Sequence, residues 1–231
     1  MANSIILDSL KRFVKQYPSI YSFVLNFIYP VLATGKSYKK ILDIIPREEI
    51  VLNLGSGPTR LSDRFINIDF HPYKNVDLIS DVHHLPIKSS SVSGTISIAM
   101  LEHVRNPQFV VDEIHRILKP GGYVYSIVPF IFGYHSAPDD YYRWTREGIK
   151  ELFSSFQAIE IGVYSGPTSS MLIILQEWLA MFFSFRSRLL YQLLYIFFMI
   201  LLAPFKIIDF YLHGHPEAHK TAATLYIIGK K

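Results

Sequence analysis

Apolar and polar residues alternate in three different ways along the chain. Up to residue 45 the apolar positions recur at helical spacing. Ile6, Leu10, Phe13 and Val14 share one face, and Ile20, Phe23, Val24, Phe27 and Ile28 share another. Pro18 and Pro30 interrupt this stretch, which predicts two short helices rather than one. From 49 to 163 short apolar runs alternate with amphipathic segments. Ile50–Leu54, Phe65–Ile68, Val76–Ile79, Thr95–Ala99, Tyr123–Val128 and Ala158–Val163 read as strands, and Pro107–Leu118 is the clearest helix, ended by Lys119-Pro120-Gly121-Gly122. Such alternation predicts an α/β fold built on a mainly parallel sheet covered on both faces. From 166 to 220 the pattern changes again. Met171–Phe185 is almost wholly apolar apart from Gln176 and Glu177, and Leu189–Leu212 contains the unbroken run Leu193–Ala203. Ala222–Gly229 then reads as a last strand. The expected organisation is a helical cap over 1–48, a core over 49–165, a hydrophobic helical insert over 166–220 and a closing strand within 221–231.

Composition narrows the classes. Half of the 231 residues are hydrophobic, and the mean hydropathy of +0.23 is high for a soluble enzyme. Aromatic residues at 15% and charged residues at 18% exclude a disordered chain. The absence of cysteine excludes disulfide scaffolds, thiolate zinc sites, iron–sulfur clusters and cysteine nucleophiles. A net charge of +4 with no run of five basic residues is too weak a field for a nucleic-acid groove, so no nucleic-acid partner is expected. His83, His84, His213, His215 and His219 lack the spacing of a ligand set, and no metal is expected. Met1–Asp8 lacks the basic start and cleavable apolar core of an export signal.

The chemistry gathers at predicted strand ends. Ile50–Leu54 runs into Gly55-Ser56-Gly57-Pro58-Thr59, a turn where missing Cβ atoms let a ligand approach the backbone. Alone, such a turn has an equally good structural account. Asp69 ends the second strand, where a carboxylate can accept from two ribose hydroxyls. Asp81 follows the third, where it can accept from an exocyclic adenine amine. The short interval from Gly55 to Asp69 leaves little room for the helix a dinucleotide pyrophosphate needs.

Asn53-Leu54-Gly55-Ser56-Gly57, Asn67-Ile68-Asp69, Asp81-Val82-His83-His84-Leu85-Pro86, Leu101-Glu102-His103-Val104 and Leu118-Lys119-Pro120-Gly121-Gly122 together resemble the class I S-adenosylmethionine-dependent methyltransferases, and within them the methyltransferase type 11 group. The resemblance covers about 49–163 plus the final strand. It implies a Rossmann-like sheet with an antiparallel last strand and S-adenosyl-L-methionine as cofactor. On that resemblance Gly55, Ser56 and Gly57 pass beneath the methionine part. Asp69 holds the ribose, Phe70 lines the adenine, Asp81 and Val82 read its edge, and Ala99 and Met100 lie beside the sulfonium. Two departures stand out. Asn53 replaces an acidic residue that would face the cofactor's ammonium group, and Pro58-Thr59 replaces the usual third glycine, so the helix after it must be very short.

Methyl transfer from a sulfonium needs in-line positioning more than covalent help, and an oxygen or nitrogen acceptor can also need a base. His103, just past the fourth strand, is either that base or a helix-start residue. The loop after the fifth strand, His135-Ser136-Ala137-Pro138-Asp139-Asp140-Tyr141-Tyr142-Arg143, resembles a segment of the same branch. There His135, Asp140 and Arg143 are expected to orient an acceptor hydroxyl and Tyr141 and Tyr142 to stack on a sugar. The alternative is an Arg–Asp bridge that pins the loop. The insert is expected to lie in the plane of a membrane interface on its cytoplasmic face. A single crossing would leave the strands on either side of the insert unable to share a sheet, and two crossings would include one short span. The expected activity is methylation of a hydroxyl on a lipid-linked, glycan-linked or quinone-like acceptor. The other readings are a soluble small-molecule methyltransferase whose insert is a lid or homodimer contact, and a cofactor-binding partner subunit without activity.

Overall fold

The computed structural model describes residues 13, 17, 20, 23–135 and 139–231. The first predicted helix, with Ile6, Leu10 and Val14, falls almost wholly outside them. Where the second is expected, Val24–Ile28 forms a single π-helical turn, closed by the Tyr29 N–H on the Val24 carbonyl. The described residues group into two units, one over 35–130, 134–164 and 224–231, the other over the residues up to Thr34, 131–133 and 165–223.

The first unit is a seven-stranded sheet. Its strands are β1 (Val51–Leu54), β2 (Phe65–Asp69), β3 (Leu78–Ile79), β4 (Val92–Ile98), β5 (Leu118–Pro129), β6 (Gln157–Ser165) and β7 (Thr224–Lys230). They lie in the order β3-β2-β1-β4-β5-β7-β6. β1 is parallel to both β2 and β4, β4 is parallel to β5, and β7 is antiparallel to β5. This is the predicted sheet. Its interior strands are nearly continuous apolar runs, as a sheet buried on both faces requires. Ile41, Val51, Phe65, Ile96, Tyr125, Tyr226 and Ile228 form one buried cluster.

The described residues of this unit hold three α-helices, of which the sequence pattern named the second. α1 (Lys39–Ile44) precedes β1, and Arg64 donates to the Leu42, Ile45 and Pro46 carbonyls at its end. α2 (Pro107–Ile117) starts with proline in its first turn and buries Val110, Val111, Ile114 and Ile117, the helical stripe that the sequence shows. α3 (Arg146–Leu152) is capped by Thr145, whose hydroxyl accepts from the Gly148 N–H. Strand–helix alternation therefore holds from β4 to β6 only. No helix lies between β1 and β2 or between β2 and β3. Ten residues containing Pro58 are too few to leave β1, form a helix and re-enter at β2. β5 also begins earlier than expected. The Lys119-Pro120-Gly121-Gly122 segment belongs to the strand, with Gly121 at φ +80°.

The second unit holds α4 (Pro167–Phe183), α5 (Arg188–Leu202), a 3₁₀ stretch over Ala203–Ile208 and α6 (Asp209–Leu212). The Asp209 carboxylate, with no exposed surface, accepts from the Thr168 N–H at 2.7 Å, the Ser169 N–H at 2.9 Å and the Ser169 hydroxyl at 2.6 Å. It thereby caps α4 from forty residues away, where an anion also meets the positive end of the helix. Lys206 donates to the Asn26 and Tyr29 carbonyls.

Two outcomes follow. Asp209→Ala leaves two buried N–H groups at the start of α4 without an acceptor and should lower unfolding stability by about 2–4 kcal/mol in urea titration. In the sheet unit Glu160 sits among Lys36, Lys40 and Tyr226. Burial alone would raise its pKa, but the hydrogen bonds from Lys36, Lys40 and Tyr226 outweigh it and hold the carboxyl at about 2. A depressed folded-state value stabilises the fold fully above the unfolded value near 4.5 and loses that contribution as pH falls toward 2. The stability gap between wild type and Glu160→Gln, about 1–3 kcal/mol at neutral pH, should therefore shrink between pH 4.5 and 2 in thermal melts.

Candidate active site at the sheet edge

The strand order reverses between β1 and β4, and the chemistry-bearing residues sit at the carboxyl ends around that switch. Gly55 and Gly57 lie at φ +66° and +58°, left-handed conformations that residues with a Cβ rarely adopt. A Cβ on Gly55 would come within 2.3 Å of Met100 Cγ, so the turn lies directly on the end of β4. A Cβ on Gly57 would meet nothing within 4 Å, so that side of the turn is open. Asp69 Oδ2 accepts the Gly57 N–H and Oδ1 accepts the His71 N–H, both at 2.8 Å. The carboxylate is thus aimed and retains lone pairs for further donors.

The other predicted cofactor residues are placed as follows. The Ser56 N–H donates to the Ile68 carbonyl. Phe70 is 69% exposed, an available aromatic face next to Asp69. Asp81 accepts from the backbone N–H of His83 and from its ring. Burial opposes its charge, and those bonds from His83 outweigh burial and keep its carboxyl below the ordinary range. Val82 and Met100 are buried, while Ala99 is exposed at φ +49°. Asn53 lies at the β1 end within the sheet. It is 2% exposed, and its amide donates to Asn67 Oδ1 at 3.1 Å inside the sheet instead of opening toward the turn.

A second group of residues lies just past β4. Leu101–His103 form a 3₁₀ turn held by the His103 N–H on the Met100 carbonyl. The Tyr141 N–H reaches the Glu102 carbonyl and draws the loop after β5 over this turn. His103 and His135 rings meet edge to face at 5.2 Å. Glu102 Oε1 lies 3.5 Å from His135 Nε2 and 3.9 Å from His103 Nε2. Asp140 and Arg143 form a bidentate pair at 2.5 and 2.6 Å, and Asp140 also accepts the His135 N–H. Burial would raise the Asp140 pKa, and the bonds from Arg143 and His135 outweigh it and lower it. This is the pinned-loop alternative for Asp140 and Arg143, and it makes Asp140 a positioning residue for His135. Tyr141 donates to Asp139, while Tyr142 donates to the Arg105 carbonyl and stacks on Trp144. Both tyrosines keep exposed faces. A shallow groove lined by Lys39, Leu42, Arg47 and Arg64 at the end of α1 involves none of these residues.

Residues 59–126 match the family model described as a methyltransferase domain, of the type 11 group. That span runs from the end of the glycine turn through most of β5 and includes Asp69, Asp81, Glu102 and His103. The match covers under a third of the chain, and over that span the chain is similar to methyltransferase domains. No curated protein matches the sequence. Among solved structures the chain is similar to a Burkholderia thailandensis 1,6-didemethyltoxoflavin-N1-methyltransferase, with TM-score 0.54 and 14% identity over 100% of this chain and 91% of that one. It is similar to a putative methyltransferase from Bacillus halodurans, with TM-score 0.53 and 12% identity over 85% of this chain and 99% of that one. A third is the Haloferax volcanii complex of the Trm112 activator with a putative methyltransferase, with TM-score 0.50 and 20% identity over 83% of this chain and 86% of that one. These likenesses concern the fold.

The methyltransferase cofactor fits the turn as built. Left-handed glycines, an open Gly57 side, an aimed Asp69 and an exposed Phe70 would allow close backbone approach, a ribose acceptor and a ring for the base. Glu102 is the residue the sequence did not mark as functional. It is fully buried, and neither carboxylate oxygen has a hydrogen-bond partner among the described residues. The Leu-Glu-His motif was its only signal. Replacing Asp69 with asparagine removes a charged acceptor, and S-adenosylhomocysteine affinity by calorimetry should fall about 10–100-fold with the fold retained.

Proposed function

We propose that this methyltransferase works at a membrane surface, on the cytoplasmic face, and methylates a hydroxyl of a lipid-linked or glycan-linked acceptor. One observation carries the reading. In the second unit many large apolar side chains face outward while several polar ones are buried. Phe182, Phe185, Phe210 and Tyr211 are 61%, 82%, 73% and 84% exposed, whereas Gln176, Gln192, Lys206 and Asp209 are 1%, 7%, 6% and 0% exposed. Water favours the opposite arrangement, and a hydrocarbon boundary favours this one.

The stretch Arg188–Leu212 is apolar enough to cross a bilayer, with only 17% of its best window buried. α5 supplies 15 of those 25 residues, about 22 Å of rise, and the 3₁₀ stretch and α6 that continue it bring the buried Lys206 and Asp209 into the same segment. The segment leaves from β6 and returns to β7, neighbouring strands of one sheet, which argues against a single crossing and supports an in-plane position. Between α4 and α5, Phe185 and Arg186 stand at φ +47° and +66°, and this turn presents Phe185 beside the exposed Arg186 and Arg188. That pairing suits an anionic interface, with the ring among acyl chains and the guanidinium groups at phosphates.

When bound, S-adenosylmethionine supplies a methyl on a sulfonium that departs as a neutral thioether. The rim of His103, His135 and Glu102 beside Met100 receives the acceptor oxygen, and exposed Tyr141 and Tyr142 faces suit a sugar or ring. The small-molecule acceptor named for the Burkholderia structure favours a second reading, a water-soluble acceptor.

Flotation with vesicles separates the two. The chain should rise with phosphatidylcholine–phosphatidylglycerol vesicles more than with phosphatidylcholine alone. Trp178→Glu should weaken binding about 30–100-fold while S-adenosylhomocysteine binding is unchanged. Methyl label from the cofactor should enter the organic phase of a lipid extract. A chain that stays soluble as a dimer, with label only in water-soluble products, overturns the proposal.

A further inference from the structure

We infer that Glu102, His103 and His135 form a binding site for one divalent transition-metal cation of the zinc type, placed beside the methyl-donor cradle. The inference rests on the methyltransferase core and not on the membrane reading.

Three donor atoms, one from each residue, lie within 4.8 Å of one another. Ligands about 2.0–2.1 Å from a tetrahedral ion stand about 3.4 Å apart. The two Glu102–imidazole separations, 3.5 and 3.9 Å, need only a small inward movement to match. Charge makes the same demand. Glu102 has no side-chain exposure and no hydrogen-bond partner among the described residues, and a buried carboxylate in that condition is costly unless a cation meets it. The histidines are oriented as ligands. His103 Nδ1 lies 2.5 Å from the Asp139 carbonyl, which fixes its proton there and leaves Nε2 toward Glu102. His135 Nε2 faces Glu102 Oε1 at 3.5 Å, and Asp140 Oδ2 stands 3.5 Å behind its Nδ1. A carbonyl and a carboxylate behind two imidazoles are the usual outer partners of metal-bound histidines. Arg143 Nη2 carries two N–H groups, one on Asp140 Oδ2 and one able to donate to His135 Nδ1 at 3.4 Å, so in the metal-free chain the His135 proton sits on Nε2 and a bound cation displaces it to solvent.

Two imidazoles and one carboxylate suit zinc, cobalt or iron more than magnesium or calcium. Three protein ligands leave a position open for an acceptor oxygen. The His103 and His135 side chains are 14% and 32% exposed, so that position can be reached. Binding there lowers the pKa of an acceptor hydroxyl, whose proton passes to solvent. The oxygen–carbon bond then forms as the carbon–sulfur bond breaks, and sulfur keeps the electron pair. The cluster thus acts as a cation site and not as a lone histidine base.

The test uses the untagged full chain, stripped with chelator and titrated with Co²⁺ alone under visible spectroscopy. One equivalent should give the ligand-field bands of a four- or five-coordinate site, and Zn²⁺ should displace it. Glu102→Gln and His135→Gln should each weaken Co²⁺ binding by more than about 100-fold, and Asp140→Asn by about 10–100-fold. S-adenosylhomocysteine binding by all three variants shows that they remain folded. A stripped chain that binds S-adenosylhomocysteine but gives no Co²⁺ bands overturns the inference, as does equal Co²⁺ binding by wild type and Glu102→Gln. Failure of vesicle binding leaves this result untouched.

Discussion

The contact of Gly55 on Met100 sets the geometry of everything around it. Two parallel neighbours, β1 and β4, end side by side at the point where strand order reverses, and their continuations must diverge within a few ångströms. A Cβ on Gly55 would overlap the Met100 side chain, so only glycine lets the β1 turn lie down on β4. With the turn seated there, the Gly57 N–H reaches Asp69 across β2, and Met100 holds the start of the Leu-Glu-His turn. The glycine turn and the Leu-Glu-His turn are two sides of the same crossing.

Burial of charge organises the remainder in two opposite ways. Asp209 and Lys206 are buried with their partners supplied, and each ties distant segments of the insert's unit together. Glu102 is buried without one. The first condition stabilises a fold, while the second is costly unless a cation meets the carboxylate. The same contrast appears in surface chemistry, where outward phenylalanines and inward glutamines invert the pattern of a water-facing helix.

Much of the fold was legible. Strand runs such as Phe65–Ile68 and the α2 stripe are local patterns, because alternation and 3.6-residue spacing are properties of short segments. Less legible were the missing helices between β1 and β3, where the sheet tolerates direct loop connections, and the early start of β5, where Pro120 and Gly121 read as a stop yet sit in a strand. Gly55, Gly57, Asp69 and Asp81 could be located at strand ends from the sequence, whereas the Asn53–Asn67 pairing, a contact between neighbouring strands fourteen residues apart, could not.

The sequence by itself determined the α/β class, the cofactor turn, the resemblance to methyltransferases and the concentration of apolar residues in the insert. These depend on spacing along the chain and on composition. Only the tertiary structure decided that Asp140 and Arg143 bind each other, that Glu102 is buried beside two imidazoles, and that the insert turns its polar groups inward. Those outcomes depend on which side chains from separate segments share one small volume. His103 and His135 stand 32 residues apart in sequence and 5.2 Å apart in space, and that distance is set by the crossing of β4 and the loop after β5.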